Sequence, residues 1–453
     1  MEIYRRPLQT KKMIYYLIRP IVRVALKLFL REIHIEGLEN IPKNKAVILA
    51  ANHPTGFIEP CVMACFQERS LFFLARGNLF GKRLYDFFLE QVHILPVYRL
   101  QDRGYGYVKN NFSTFEACYE SLGKREALMI LAEGSSIHEK RLRPLVKGTG
   151  RIAFGTLDSN PHLEDVYIVP IGINYTHAER FLSDLYVDVG EPISTKAYMD
   201  NYKENRNKGI LKLTQELRTR MLERIIHIEN PDDDNGVEVL LEMVRPNTNI
   251  PGLTRVKYGN EQLKQEKKIV DAINVMPQEE KNALWNLTAA YQSALEACGV
   301  DDNVFKVHPV AALPAKILFF LLMPLFFVLS ILVTPPFLLA KYIADTRVKY
   351  IEFYTSVLLA VALGAYLVYW LFLSVVFFII GGGWIWGILL FPLVTVFWLY
   401  YLGYYIDYLK MRKWSTCEHK KREEIRKKRE DVLAAAPFLN ETDHFLNGSK
   451  KIG

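Results

Sequence analysis

Three stretches in the C-terminal part of the chain are apolar all round: Ile317 to Ala340, Phe353 to Ile380 and Trp384 to Ile406 contain no charged residue. A helical crossing of a bilayer needs about 20 apolar residues, whereas a helix of a soluble protein keeps a polar side over such a length. The pattern predicts hydrophobic membrane segments over residues 313–408. Pro324, Pro335 and Pro336 interrupt the first stretch, and Lys341, Arg347 and Lys349 follow it. Proline inside a helix removes a hydrogen bond and crowds the preceding turn. That segment is therefore expected to be re-entrant or to lie in the inner leaflet, with crossings near 353–380 and 384–406 and the turn at Gly381 to Gly383 between them.

Upstream, the pattern changes to short apolar runs of strand length at 46–51, 71–74, 94–97, 127–131 and 166–173, with helical spacing between several of them, as at Ser113 to Leu122. Strands alternating with helices imply an α/β layer whose reactive residues sit at strand ends and loops. The expected fold is an α/β catalytic domain over residues 35–197, with a mostly parallel central sheet flanked by helices, plus a C-terminal α-helical membrane domain. Residues 198–312 turn charged and helical, for example at Leu211 to His227 and Glu261 to Val275, and carry no motif with a chemical reading.

The N-terminal stretch, residues 1–34, places Arg19, Arg23, Lys27 and Arg31 at steps of four among apolar residues. A helix with a basic stripe and apolar residues around the rest suits a membrane interface; packing on the catalytic core is the competing reading.

Half of the 453 residues are hydrophobic and the net charge is +8. The positions of the cations argue against a nucleic-acid partner, because they crowd beside apolar segments. Between Lys410 and Arg429 stand ten Lys or Arg residues against Glu418, Glu423 and Glu424. A basic tail over residues 409–453, directly after the last span, favours the cytoplasmic side and anionic headgroups. The five cysteines fit neither a disulfide framework nor a zinc knuckle, and five reduced thiols in a cytosol-facing protein are expected. Cys118, in mid-helix between Phe115 and Tyr119, reads as core rather than as a nucleophile. No signal peptide is expected, since Arg5, Arg6, Lys11 and Lys12 precede an apolar run broken by charges.

The candidate chemistry lies at the ends of the apolar runs. Asn52-His53 closes the first, and Glu59 follows six residues after the histidine. A carboxylate that fixes one imidazole nitrogen leaves the other to take a proton from an alcohol. Arg76 and Arg99 end two further runs, and a guanidinium there suits a phosphate. Glu133-Gly134-Ser135-Ser136 ends another, and Arg141, Arg143 and Lys147 add cations. One site for an anionic substrate with an acidifiable hydroxyl is the reading these clusters support.

In their order and spacing these blocks resemble the glycerolipid acyltransferase family, which includes glycerol-3-phosphate and 1-acylglycerol-3-phosphate (lysophosphatidic acid) acyltransferases. The resemblance covers roughly Ile35 to Pro192 and is strongest to the subgroup that includes fungal-type glycerol-3-phosphate acyltransferases. Its carriers are His53 with Glu59, Leu95-Pro96-Val97-Tyr98-Arg99, Glu133-Gly134-Ser135-Ser136, Arg143-Pro144-Leu145-Val146-Lys147-Gly148 and Ile168-Val169-Pro170-Ile171-Gly172. The chain departs from the commonest pattern twice. Five residues rather than four separate the histidine from its acid, which is Glu59 rather than aspartate, and Ser136 stands where an arginine usually ends the third block.

The resemblance implies direct attack of an acceptor hydroxyl, deprotonated by His53, on a thioester. Acyl-CoA or acyl carrier protein (acyl-ACP) would be the donor and co-substrate, with no resident cofactor or metal. His53 and Glu59 would be catalytic, and Arg76, Arg99, Glu133, Gly134, Ser135, Ser136, Arg143 and Lys147 would surround the substrate. Glycerol-3-phosphate is the first expected acceptor and lysophosphatidic acid or another lyso-lipid the second. A catalytically silent membrane scaffold is the reading from another class. The expected setting is an integral membrane protein in a phospholipid bilayer, with its catalytic domain and tail in the cytoplasm.

Overall fold

Ala46–Ala51 is buried at every residue, and it lies at the centre of the molecule. Strands covered on both faces are apolar without alternation, which is why this run and its neighbours stand out in the sequence. The computed structural model describes residues 13–98, 111–246, 256–306, 313–381 and 383–439. Its first elements are α1 (Met13–Phe29), β1 (Ile33–Glu36), β2 (Ala46–Ala51), α2 (Ile58–Phe66), β3 (Leu71–Arg76), α3 (Arg83–Gln91), β4 (Ile94–Val97), α4 (Asn111–Gly123), β5 (Ala127–Leu131), α5 (Gly148–Ser159), β6 (Val166–Tyr175), β7 (Leu185–Val189) and β8 (Ile193–Ser194). Then come α6 (Met199–Glu204), α7 (Arg206–Leu222), α8 (Asp234–Val244), β9 (Val256–Tyr258), α9 (Glu261–Asn274), α10 (Gln278–Ala297), α11 (Leu313–Arg347), α12 (Tyr354–Ile379), α13 (Trp384–Thr416) and α14 (His419–Ala435).

Among the described residues the sheet has nine strands in the order β4-β3-β5-β2-β6-β7-β1-β9, with β8 on β6. Its pairings are parallel apart from β6 with β7 and β6 with β8. This is a mostly parallel α/β sheet flanked by helices. Short apolar runs do not announce β1, β7 or β9; β9 comes from the charged extension and pairs with β1 through Ile33 and Val256. Alternate residues of β2 divide between two cores. Val47, Leu49 and Ala51 face α1, α2 and the near ends of the membrane helices, while Ala46, Ile48 and Ala50 face α4, α5 and α7.

Helix α1 packs on α2, burying Tyr15, Leu26 and Phe29. Arg23 lies over the Phe66 ring at 5.2 Å, and Arg19 donates to the Gln67 carbonyl. Met13, Leu17 and Val24 remain exposed, so the helix presents an apolar side outward while two of its cations turn toward the domain.

Three helices are long and apolar enough to cross a membrane, at Lys316–Arg347, Ile351–Ile379 and Ile388–Thr416. The expected break at the prolines is absent: α11 runs unbroken through Pro324, Pro335 and Pro336. The helix is held along its length by packing on α12 and α13, and neighbouring helices make such a proline-bearing helix tolerable in an apolar setting. Tyr366 of α12 donates to Val333 O at 2.9 Å.

The described part of the tail packs on the extension. Ile425 and Val432 of α14 are buried on the extension, Arg429 pairs with Asp302 at 2.9 Å, and Lys410 pairs with Asp301 at 2.6 Å. The cysteines depart from expectation as well. Cys298 and Cys417 are bonded, while Cys61, Cys65 and Cys118 are free. The bonded pair is 119 residues apart in sequence, and only the return of α13 to the end of α10 brings it together.

An ionic network docks the extension on the sheet. His177, after β6, meets Glu242 of α8 at 2.5 Å, and Lys140 meets Glu238 at 2.6 Å. Burial opposes the Glu242 charge, but the hydrogen bond from His177 and the charge of Arg245 outweigh it and hold that carboxyl at about 2. Burial also opposes the His177 imidazolium, and hydrogen bonds with Glu179 and Glu242 outweigh it, so His177 titrates above its ordinary value. The carboxylate contribution is complete above the unfolded value near 4.5 and is lost as pH falls toward 2. The histidine contribution is complete below 6.5 and is lost as pH rises through the raised folded value. Protection of α8 amides, corrected for intrinsic exchange, is therefore expected to be greatest between about pH 4.5 and 6.5. His177→Asn should remove the decline on the alkaline side; an unchanged decline would show that other groups control it.

Candidate active site

Strand β2 delivers Asn52 and His53 into the loop before α2. Asn52 locks this exit to β6 by a reciprocal pair, its amide donating to Ile173 O and its oxygen accepting from Ile173 N, both at 2.8 Å. Glu59 lies in the first turn of α2, where the helix dipole favours a carboxylate. It is fully buried. One oxygen accepts from Thr55 N at 2.8 Å and from the Thr55 hydroxyl at 2.7 Å. The other stands 3.5 Å from His53 Nδ1, within ion-pair reach and longer than a hydrogen bond, as catalytic contacts often are before substrate arrives. Nε2 is the ring nitrogen left for chemistry.

A second loop holds the histidine from behind. Glu133 accepts from His53 N at 3.2 Å, from Arg143 N at 3.1 Å and from Arg143 Nη2 at 2.7 Å. Arg143 also donates to the Ser135 hydroxyl at 2.8 Å. Glu133 and Arg143 thus bind each other and the backbone at His53. Gly134 adopts a left-handed φ of +74°, and its missing Cβ admits Val146. Ser136 is buried. Lys147 is exposed immediately before α5. Arg76 ends β3 with its guanidinium 5.9 Å from the centre of the Phe353 ring. Arg99 lies outside the described residues.

Sequence reasoning missed four residues at this place. Thr55 organises Glu59; a threonine four residues ahead of an acid at a helix start was an available signal. Tyr175, at the end of β6, is buried beside Glu59, and burial first, then the charge of Glu59, pushes its phenol up. Phe353 and Ser356 come from the membrane region, with no local signal. A cavity lined by Asn52, Pro54, His138, Lys140, Asn174 and Tyr175 borders the loop. Cys118 is buried, and burial pushes its thiol up to about 12, which suits a core position. Among the described residues, His177, Glu238 and Glu242 are spaced to hold a metal ion, but Lys140 and Arg245 already engage these carboxylates.

A model of the family described as Acyltransferase matches residues 32–174, which contain this whole loop system. Residues 32–174 thus match an acyltransferase domain. Glycerol-3-phosphate O-acyltransferase 2 of Saccharomyces cerevisiae is 22% identical over 260 residues, covering 53% of this chain and 33% of the yeast protein. Glycerol-3-phosphate O-acyltransferase 1 of the same yeast is 35% identical over 79 residues, covering 17% and 10%. The matched segments thus span a third or less of these curated relatives. Among solved structures, the 1-acyl-sn-glycerophosphate acyltransferase PlsC from Thermotoga maritima aligns with a TM-score of 0.33 and 19% identity, over 48% of this chain and 85% of that one. The acyltransferase domain places its histidine and acid at the C-terminal end of the central strand, where parallel α/β sheets carry their ligands.

Proposed function

We propose that the protein is a membrane-bound O-acyltransferase that moves a fatty acyl group from acyl-CoA or acyl-ACP to a hydroxyl of glycerol-3-phosphate in phospholipid biosynthesis. The observation that carries the reading is the buried Glu59 facing His53 Nδ1 inside an acyltransferase domain. His53 Nε2 takes the acceptor proton as the oxygen attacks the thioester carbonyl, and backbone N–H groups at the strand ends receive the oxyanion. Collapse breaks the carbon–sulfur bond, and the thiolate leaves with the proton from His53. The chemistry needs no metal or prosthetic group, because an imidazole is the base. Arg76, Lys147 and Arg99 are the cations assigned to the acceptor phosphate, while Arg143 with Glu133 holds the loop behind His53. An acceptor panel with labelled acyl-CoA tests the reading. Transfer to glycerol-3-phosphate supports it; transfer to lysophosphatidic acid alone moves the assignment to a lyso-lipid enzyme, and no transfer to any acceptor leaves a scaffold.

The contacts between the long apolar helices and the body support an orientation. The start of α12 and the end of α13 both rest on it, through Ser356 and Leu359 at one and Trp414 at the other. Ile379 and Ile380, at the far end, are exposed. Helix α11 is tied at both ends: Ala340 and Ala344 are buried in the sheet core, and Phe319 stacks on Tyr401 of α13 at 5.1 Å. A helix so tied lies along the inner leaflet, while α12 and α13 cross as a hairpin. At about 1.5 Å per residue, the 26 residues of α12 exceed the roughly 30 Å of hydrocarbon. The catalytic domain and α14 then share the cytosolic side. The Lys410 to Asp301 pair, the Trp414 contacts and the Cys298 to Cys417 bond hold these two ends together. Cysteines introduced at Ile380 and at Lys420 are expected to label from opposite sides of sealed vesicles; labelling from one side would remove the hairpin.

A further inference from the structure

The loop between the base and its acid is closed by a segment nearly three hundred residues away. Ser356, in the first turn of α12, is fully buried and accepts from Phe57 N at 3.0 Å. Beside it, the Thr355 hydroxyl donates to Ala178 O at 2.8 Å, just beyond β6. The Phe353 ring lies against Gly56, where a Cβ would stand 2.6 Å from Cδ1 of the ring and 3.2 Å from Ser356 Oγ. Phe57 is the N-cap of α2, where backbone N–H groups have no partner within the helix, and five residues including a glycine separate His53 from Glu59. That loop has more freedom than a reacting pair tolerates unless something outside it supplies restraint.

We infer that Ser356 is a positioning residue for acyl transfer and that the base of the membrane hairpin, with Phe353 and Thr355, is a built part of the active site. Ser356 acts through the loop. By holding Phe57 N it fixes the turn that sets the gap between His53 Nδ1 and Glu59, and it does not touch the reacting atoms. The domain's chemistry is thereby joined to its membrane helices. This inference rests on the proposed transfer activity.

The test uses the full chain in lipid nanodiscs, with wild type and His53→Ala as references. Ser356→Ala is expected to lower kcat roughly 10- to 100-fold, the scale on which a misplacement of about 1 Å acts, while KM for donor and acceptor changes less than about twofold. In a Glu59→Gln background the same change should cost less than about twofold, because residues acting through one geometry are not additive. Wild-type kcat in folded Ser356→Ala, or the same proportional loss in both backgrounds, overturns the inference. Should Ser356→Ala fail to fold, Gly56→Ala decides: its kcat should fall, and Phe353→Leu in the same chain should restore it by making room. Unchanged kcat in Gly56→Ala, or no restoration, overturns the inference. Wild type that transfers to no acceptor, with His53→Ala no different from it, overturns the proposed function and this inference together.

Discussion

His53→Ala is expected to lower kcat for acyl transfer by about 100- to 10,000-fold, the contribution of a positioned general base, with little change in the thermal midpoint. The histidine side chain is mostly buried, but its backbone anchors, Glu133 on His53 N and Ile137 N on His53 O, do not depend on the imidazole. The fold should therefore survive its loss. Glu59→Gln should be less severe at the chemical step, since it keeps an acceptor for Thr55 while removing the charge that faces Nδ1. A radiolabel transfer assay run beside a thermal melt checks both. Full activity in folded His53→Ala would remove the mechanism.

Glu133→Ala is expected to damage stability and activity together. Three donors converge on this carboxylate, two of them backbone N–H groups and the third the Arg143 guanidinium. Its side chain is only 3% exposed and that of Arg143 is 16% exposed. Removing one partner of such a pair strands the other, at about 3 to 5 kcal/mol, and frees the histidine backbone. Glu133→Leu combined with Arg143→Met should recover much of the stability, since no buried charge remains, but little of the activity, since His53 N is still unheld. Thermal midpoints and kcat of the two variants separate these roles; an undiminished midpoint in Glu133→Ala would mean the ion pair contributes nothing.

The strand ends could be read from the sequence because a sheet covered on both faces demands unbroken apolar runs. Where such a run stopped, at Ala51 or Leu131, the polar residues His53 and Glu133 followed within two positions. The same argument left β1, β7 and β9 unseen, since each is short and carries polar residues. Arg143 is expected beside the substrate from its charge and its place in the block 143–148, whereas its two terminal nitrogens are engaged by Glu133 and Ser135. Proline rules foresaw a broken α11, yet the helix runs unbroken and packs on its neighbours along its length.

By itself the sequence determined the fold class, the long apolar segments and the residue types of the His53 and Glu59 pair, because burial periodicity and local charge are written within a few residues of one another. The tertiary structure alone decided which groups meet. Thr55 holds Glu59, Glu133 joins two loops across 80 residues, Cys298 reaches Cys417, and Ser356 closes the histidine loop from the base of a membrane helix. Contacts of that span depend on how the helices return to the sheet, and no local pattern encodes a return.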